Sequence, residues 1–370
     1  MFEIRCPLRE AAYVSKHQTG LRSPEGALTF YEFDQLVTVA AERLRDLGVA
    51  PGERVGLAVD LGWRQPVLML AIIRAGGVAC LLNTRAGPVQ MAARLQEVSC
   101  RRALVSDPAA WTDRTTGLQL HDAQSVAALG AMGCEGAFAD GIPADRPVTI
   151  LFAGHSGTRP RAILHAYENH YYSALGCNAN VSLRSRDRYL LAPAIHDVEG
   201  LAIVFRCLVS GATLVAPDPA EPFAGAVAQH GITHASATME ELESFLDSPA
   251  AAESALKCVM VGESVCAAAL KRASDARIRI HSYYGLPEMA SQVTAVSAGE
   301  TPEKQATRGR ALKYRELEIG PAGEIRVKGH PLMVGYVTGD RTERPVSADG
   351  WFSPGEKGRL DGEGHLVVPG

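Results

Sequence analysis

Val148-Thr-Ile-Leu-Phe-Ala-Gly-His-Ser-Gly-Thr-Arg-Pro-Arg-Ala-Ile-Leu-His165 reads as an apolar strand, a loop of small and basic residues, and a second apolar strand. A loop containing Gly154, Ser156, Gly157 and Thr158 can bring backbone N–H groups and hydroxyls close to an anion, and Arg159 and Arg161 add fixed positive charge. That is a phosphate cradle in outline. It is also the composition of a surface hairpin whose turn residues serve only the turn, so the rest of the chain has to decide between the two.

On the N-terminal side, Thr29 and Glu32 have the spacing of a capping box, and Leu36, Val39, Ala40, Leu44 and Leu47 recur at helical intervals up to Gly48. Strands at 55–59, 78–82 and 103–105 then alternate with helices at 65–74 and 88–98, the first of which ends on Gly76-Gly77. Residues 107–146 are rich in Ala, Gly and Asp with weak periodicity and read as a loosely structured connection. Beyond the loop, helices at 168–179, 201–208 and 239–246 alternate with strands at 188–192, 212–216, 233–236, 258–261 and 278–281. From about Arg315 the pattern changes to short strands at 316–319, 324–328, 332–336 and 365–368, separated by Gly and Asp turns. The expected fold class is α/β with parallel strands. Two layered α/β subdomains, at about 1–185 and 186–300, are followed by a small β-barrel-like subdomain at 301–370.

The 370 residues are 46% hydrophobic and 21% charged, ordinary usage for a globular chain with a large core. A net charge of -4 and the lack of any lysine or arginine run argue against nucleic-acid binding. The first ten residues lack an apolar secretory core and no apolar run is long enough to span a bilayer, so the expectation is a cytoplasmic protein without a membrane partner. Eight cysteines are scattered with no CxxC pair and read as small reduced core residues, neither disulfides nor zinc ligands.

A series of motifs in fixed order then carries a family resemblance. Ala27-Leu-Thr-Phe-Tyr-Glu, Gly48-Val-Ala-Pro-Gly-Glu-Arg-Val, Arg74-Ala-Gly-Gly-Val-Ala, Leu81-Leu-Asn-Thr-Arg, the basic loop, Tyr284-Gly-Leu-Pro-Glu288, Gly323-Glu-Ile-Arg-Val-Lys-Gly and Asp349-Gly-Trp-Phe-Ser-Pro-Gly-Glu356 together resemble the large N-terminal domain of adenylate-forming enzymes. That superfamily contains acyl-CoA synthetases, peptide-synthetase adenylation domains and luciferases. Gly200-Leu-Ala-Ile-Val-Phe-Arg, Gly231-Ile-Thr-His-Ala-Ser and Ser291-Gln-Val look most like o-succinylbenzoate-CoA ligases, which activate an aromatic carboxylate.

The resemblance implies ATP and Mg2+ as cofactors and a small aromatic carboxylate as substrate. By it, Ser156, Gly157, Thr158, Arg159 and Arg161 hold phosphates, and Gly262, Glu263 and Ser264 lie against adenine. Tyr284 and Gly285 belong to the nucleotide-binding motif, Glu288 holds magnesium, and Glu356 meets the ribose hydroxyls. His196 stands where the family has a histidine beside the acyl pocket, yet the next glycine, Gly200, comes one residue later than in the family; a satisfied, half-buried histidine fits as well. Glu288 alone is an ordinary loop carboxylate. Its metal role rests on its place after His281-Ser-Tyr-Tyr and inside Tyr-Gly-x-x-Glu.

Several positions depart from the family pattern. His155, Thr158 and Ala162 stand at glycine positions of the loop, Pro287 replaces the threonine before Glu288, and Glu356 replaces an aspartate. The sequence ends at Gly370, before the family's C-terminal domain of about a hundred residues. Either the sequence is trimmed or it is a short form, expected to make the acyl-adenylate and pass it to a pathway enzyme. The combination resembles a short adenylating form of phenazine antibiotic biosynthesis, and that resemblance implies a phenazine carboxylate as the acid. Two alternatives stay open: the N-terminal part of an o-succinylbenzoate-CoA ligase, and a non-catalytic module on the same fold that binds a nucleotide or a metabolite.

Overall fold

Thr29 caps its helix as the sequence predicts. Its Oγ1 accepts from the Glu32 N–H at 3.2 Å while the Glu32 carboxylate accepts from the Thr29 N–H at 2.8 Å. The helix runs Phe30–Asp46, buries Phe33, Val37, Ala40 and Leu44, and packs on a second helix, Arg64–Ala75. That second helix ends on Gly76, whose φ of 101° is left-handed and suits a residue without Cβ.

The computed structural model describes residues 2–60, 62–111, 117–128, 138–154 and 159–369. The chain forms two compact units, each built around a sheet of mainly parallel strands. One comprises Met1–Glu168, Ala194–Leu201 and Met333–Arg344. Its sheet has the order Arg341–Glu343, Gly335–Thr338, Arg161–Ala166, Pro147–Ala153, Val78–Leu81, Arg54–Ala58, Arg102–Val105, Gln119–Asp122. Pairing is parallel from Pro147–Ala153 through Gln119–Asp122 and antiparallel on the other side. One face of this sheet buries Ala58, Leu95, Ala103, Ile150, Leu164 and Val337 in a common apolar cluster.

Two expectations need correction in this unit. The described residues within 107–146 carry more structure than their composition suggests: Gln119–Asp122 extends the sheet as a parallel strand, Ala123–Ala127 is a helical turn capped by Asp122, and Gly141–Pro143 pairs with Glu3–Arg5. The strand expected at 332–336 lies at Gly335–Thr338, where it pairs antiparallel with Arg161–Ala166. A helix at Pro7–Val14 was not apparent in the sequence.

The other unit comprises Asn169–Pro193, Ala202–Leu332 and Pro345–Gly370. Its strands run in the order Arg310–Ala311, Ser291–Ala295, Arg279–Leu286, Cys258–Val261, His234–Ser236, Arg188–Leu190, Thr213–Val215, with the last five parallel. Alternation along the strands makes two unlike faces. Leu190, Val215, Ala235, Val259, Val261 and Ile280 face an apolar core completed by Leu242 and Phe245. Tyr189, His234, Ser236, Cys258, Met260 and His281 form the opposite face, also buried but rich in polar groups. There Tyr189 Oη bonds Ser236 Oγ at 3.0 Å, Asn180 Nδ2 reaches the carbonyl of Val296, and Arg206 donates to Tyr189 at 3.2 Å. The strand expected at 278–281 is twice as long, because Tyr283 to Leu286 continue it against Ala295 to Ser291 as an antiparallel hairpin.

The cysteines divide. Cys80, Cys100, Cys177, Cys207 and Cys258 are buried as expected, Cys6 is half-buried, and Cys266 is exposed, contrary to the core reading. Cys134 lies outside the described residues. No helix among the described residues is long and apolar enough to cross a membrane.

Candidate functional site

Parallel strands put their ligand-facing loops at their carboxyl ends, where side chains and free backbone groups project past the sheet. In the second unit two such ends are adjacent. Cys258–Val261 runs into Gly262, Glu263 and Ser264, all exposed, and the neighbouring strand carries Tyr283, Tyr284 and Gly285 into the turn that holds Glu288. The carbonyl of Gly262 accepts from Arg308 Nη1 at 3.0 Å, and the carbonyl of Glu263 accepts from Ser282 Oγ at 3.0 Å. A Cβ on Gly262 would stand 3.3 Å from the Tyr283 hydroxyl, so the ring lies directly beside bare backbone. Partial burial lowers the pKa of Arg308, opposed by the nearby Glu263.

Tyr284 is 8% exposed, and its hydroxyl has no hydrogen bond of ordinary geometry. Glu356 and Glu288 lie near enough to act on it: burial first, then Glu356, then Glu288 push the phenol well above its usual range. Glu356 is held there by backbone. Its carbonyl accepts from the Ile325 N–H at 2.8 Å, and bridges between Glu324 and Lys357 and between Val327 and Phe352 fix the segment on either side. Gly285 is required where it stands, since a Cβ would meet the Ser291 carbonyl oxygen at 2.9 Å across the hairpin. Tyr284, Glu288 and the sequence-distant Glu356 thus lie in one unit, with both carboxylates within electrostatic reach of the Tyr284 hydroxyl.

The remaining residues expected at the site belong to the first unit. His196 lines a small, mostly apolar cavity with Leu57, Val59, Gln65, Leu81, Leu82 and Ile195, and its side chain is 20% exposed. Burial lowers its pKa, with Asp197 opposing. The two loop arginines both have protein partners: Arg159 is paired with Glu97, and the Arg161 guanidinium lies over the Tyr336 ring. Ser156, Gly157, Thr158 and the departing His155 lie outside the described residues. Sequence reasoning missed Tyr283 and Arg308. The doubled tyrosine before Gly285 was a usable signal for the first; the second had none, because its contact with Gly262 is made across 46 residues.

Residues 8–337 match the family described as AMP-binding enzyme. The chain belongs to that family. It is an enzyme of the adenylate-forming ligase class, whose general chemistry is acid activation. Among curated relatives of this AMP-binding enzyme, a 2-succinylbenzoate–CoA ligase of Bacillus pumilus is 25% identical over 373 residues, 98% of this chain and 76% of that protein. Among solved structures, the O-succinylbenzoate coenzyme A synthetase (MenE) of Bacillus subtilis in complex with AMP has a TM-score of 0.87 at 22% identity, covering 100% of this chain and 98% of that one. The same synthetase in complex with ATP and a magnesium ion has a TM-score of 0.87 at 22% identity, covering 99% of this chain and 79% of that one. These likenesses establish the α/β fold of the adenylate-forming N-terminal domain.

Proposed function

We propose that the protein uses ATP and magnesium to convert an aromatic carboxylic acid, of the phenazine carboxylate class, into its acyl-adenylate, which a pathway enzyme then consumes. One observation carries the reading: the buried Tyr284 hydroxyl, at the carboxyl end of a parallel strand, lies within electrostatic reach of Glu356 and, more weakly, of Glu288. Support for the aromatic acid comes from relatives named as 2-succinylbenzoate–CoA ligases.

The residues present fit a nucleotide that brings its own metal. Magnesium is a cation held by one or two carboxylates together with phosphates. Glu288 would supply the protein carboxylate. When bound, the metal neutralises charge on the phosphates. Glu356 would accept from ribose hydroxyls, the exposed backbone of Gly262 to Ser264 would border the base beside the Tyr283 ring, and Arg159 and Arg161 would meet phosphate oxygens. Holding acid and nucleotide together favours in-line attack of a carboxylate oxygen on the α-phosphorus, with breakage of the bond to the pyrophosphate oxygen. His196, with its pKa lowered, would enter such a site neutral and border the acid. A second reading, transfer of the acyl group to coenzyme A, draws on the same relatives.

The test is pyrophosphate release on mixing the protein with ATP, magnesium and a panel of phenazine carboxylates and other aryl acids. Release with an aryl acid is expected. No release with any acid, or release with aliphatic acids only, would overturn the proposal; a coenzyme A thioester in the products would favour the second reading.

A further inference from the structure

The turn that carries Glu288 is conformationally expensive. The hairpin reverses over Pro287–Met289 and closes on Ala290, at φ 50° and ψ 41°, and Ser291, at φ 106°. Left-handed backbone is uncommon for residues with a Cβ, and such strain persists only when the surroundings over-determine it. Within the turn, the Ala290 N–H donates to the Pro287 carbonyl at 3.1 Å. The other restraints come from far away in sequence.

Both strained residues are pinned by buried side chains. The carbonyl of Ala290 accepts from Ser173 Oγ at 2.7 Å, and Ser173 Oγ in turn accepts from Arg315 Nη2 at 2.9 Å. Arg315 also donates to the carbonyls of Ser173 at 3.2 Å and Lys313 at 3.0 Å. Ser291 Oγ accepts from Arg206 Nη2 at 3.0 Å. Ser173, Arg206, Ala290 and Ser291 are each at most 3% exposed and Arg315 is 6% exposed. Arg315 is costly to keep there: burial, with Arg206 nearby, pushes its pKa down to about 9, and every hydrogen bond given above for it goes to a neutral oxygen. Spending a buried guanidinium on one serine makes sense if that serine's orientation matters, because a hydroxyl accepting from a cation is a stronger, directed donor to the next carbonyl.

We infer that Ser173 and Arg315 are positioning residues that hold the strained 287–291 turn in the conformation presenting Glu288. This rests on the magnesium role proposed for Glu288. The clamp is a relay: Arg315 orients Ser173, Ser173 fixes the Ala290 carbonyl, and the left-handed Ala290 sets the direction of the preceding turn.

The experiment combines hydrogen exchange of the peptide spanning 284–292 with ATP titration in the presence and absence of magnesium. It uses the wild type, Ser173→Ala, Arg315→Met, and Ser173→Ala combined with Ala290→Gly. Loss of the relay should speed exchange of the turn and weaken ATP affinity about tenfold with magnesium while leaving affinity without magnesium unchanged. General loosening would lower both affinities together. Ala290→Gly, which takes left-handed φ without strain, should restore the magnesium-dependent part. Unchanged exchange in Ser173→Ala, equal loss with and without magnesium, or no rescue by Ala290→Gly would overturn the clamp. Equal ATP affinity of the wild type with and without magnesium would instead overturn the reading of Glu288 itself, and that is seen before any variant is compared.

Discussion

The hydroxyl of Tyr284 is buried against the carboxylate of Glu356, and the charge of Glu356 adds to burial in keeping that phenol protonated. Ionising it would set a third negative charge beside Glu356 and Glu288 in a place with little water. Tyr284 therefore keeps its proton throughout the pH range in which ordinary tyrosines, at about pH 10, lose theirs. The tyrosinate absorbance of Tyr284→Phe should superimpose on that of the wild type through this range. Loss of one tyrosine equivalent from the curve would mean that the hydroxyl is not held in this environment.

The buried ion pair of Asp34 and Arg74 gives a stability prediction for the first unit. Arg74 Nη2 meets Asp34 Oδ1 at 2.5 Å, with side chains 6% and 9% exposed, and Arg74 Nη1 also donates to Thr38 Oγ1 at 2.7 Å. Removing one partner leaves the other charge buried, at a cost of about 3–5 kcal/mol, while replacing both with apolar groups is far milder. Asp34→Ala should lower the unfolding free energy read from urea titration by this much, and Asp34→Leu combined with Arg74→Met should recover most of it. An additive double variant would show that the pair is not coupled.

His281 predicts the acid side of stability. Its Nδ1 is 2.7 Å from the Val296 carbonyl oxygen, and burial, with Arg279 and His234 nearby, lowers its pKa to about 4. An unfolded histidine takes up its proton at about pH 6.5. Between those values the unfolded chain binds more protons than the folded one, so stability is lost as pH falls through this window and this loss levels off below it. His234, its pKa also lowered by burial, adds a loss of the same sign. His281→Gln should make stability less steep with pH in the window by about 1.4 kcal/mol per unit, read from urea unfolding at several pH values. An unchanged slope would mean that His281 is protonated in the native state.

What the sequence made legible was whatever depends on neighbours within a turn or a strand. The Thr29 capping box holds in both of its bonds, and the helix at Met239–Leu246 and the strand at Cys258–Val261 have the bounds their apolar spacing predicts. Gln119–Asp122 escaped notice because Gln-Leu-His-Asp has neither alternation nor β-branched residues; its place comes from backbone pairing with Arg102–Val105. The strand near 335 was visible, but its partner, Arg161–Ala166, was not, since nothing local specifies which edge a strand joins. The candidate site divides in the same way. Glu288 stands in a contiguous motif, whereas Ser173 and Arg315 meet across 142 residues and carry no local mark of the turn they restrain.

Arg159 and Glu97 supply the last prediction. Both ends of the loop's charge are engaged: Glu97 takes Arg159 and also Arg94, the latter at 3.0 Å, and these two guanidinium groups hold its pKa down against the opposing effect of burial. The Arg159 side chain is 74% exposed, so its pairing with Glu97 is worth only about 0–1 kcal/mol and is easily given up. A triphosphate, with more charge and more acceptor oxygens, would outcompete one shared carboxylate for the same guanidinium. Glu97→Gln should therefore tighten ATP binding by up to a few fold, with or without magnesium, because one competitor for Arg159 is gone. Arg159→Ala should weaken it by about 1–3 kcal/mol in both conditions, the loss expected for a charge-assisted contact. Adding Glu97→Gln to Arg159→Ala should change nothing further, since Glu97 acts only by occupying Arg159. Titration of ATP against the three variants decides the matter: if Arg159→Ala binds ATP as tightly as the wild type, the phosphate role of Arg159 is wrong and its partner is simply Glu97. If Arg159→Ala weakens binding while Glu97→Gln leaves it unchanged, the arginine meets phosphate without having to leave the carboxylate.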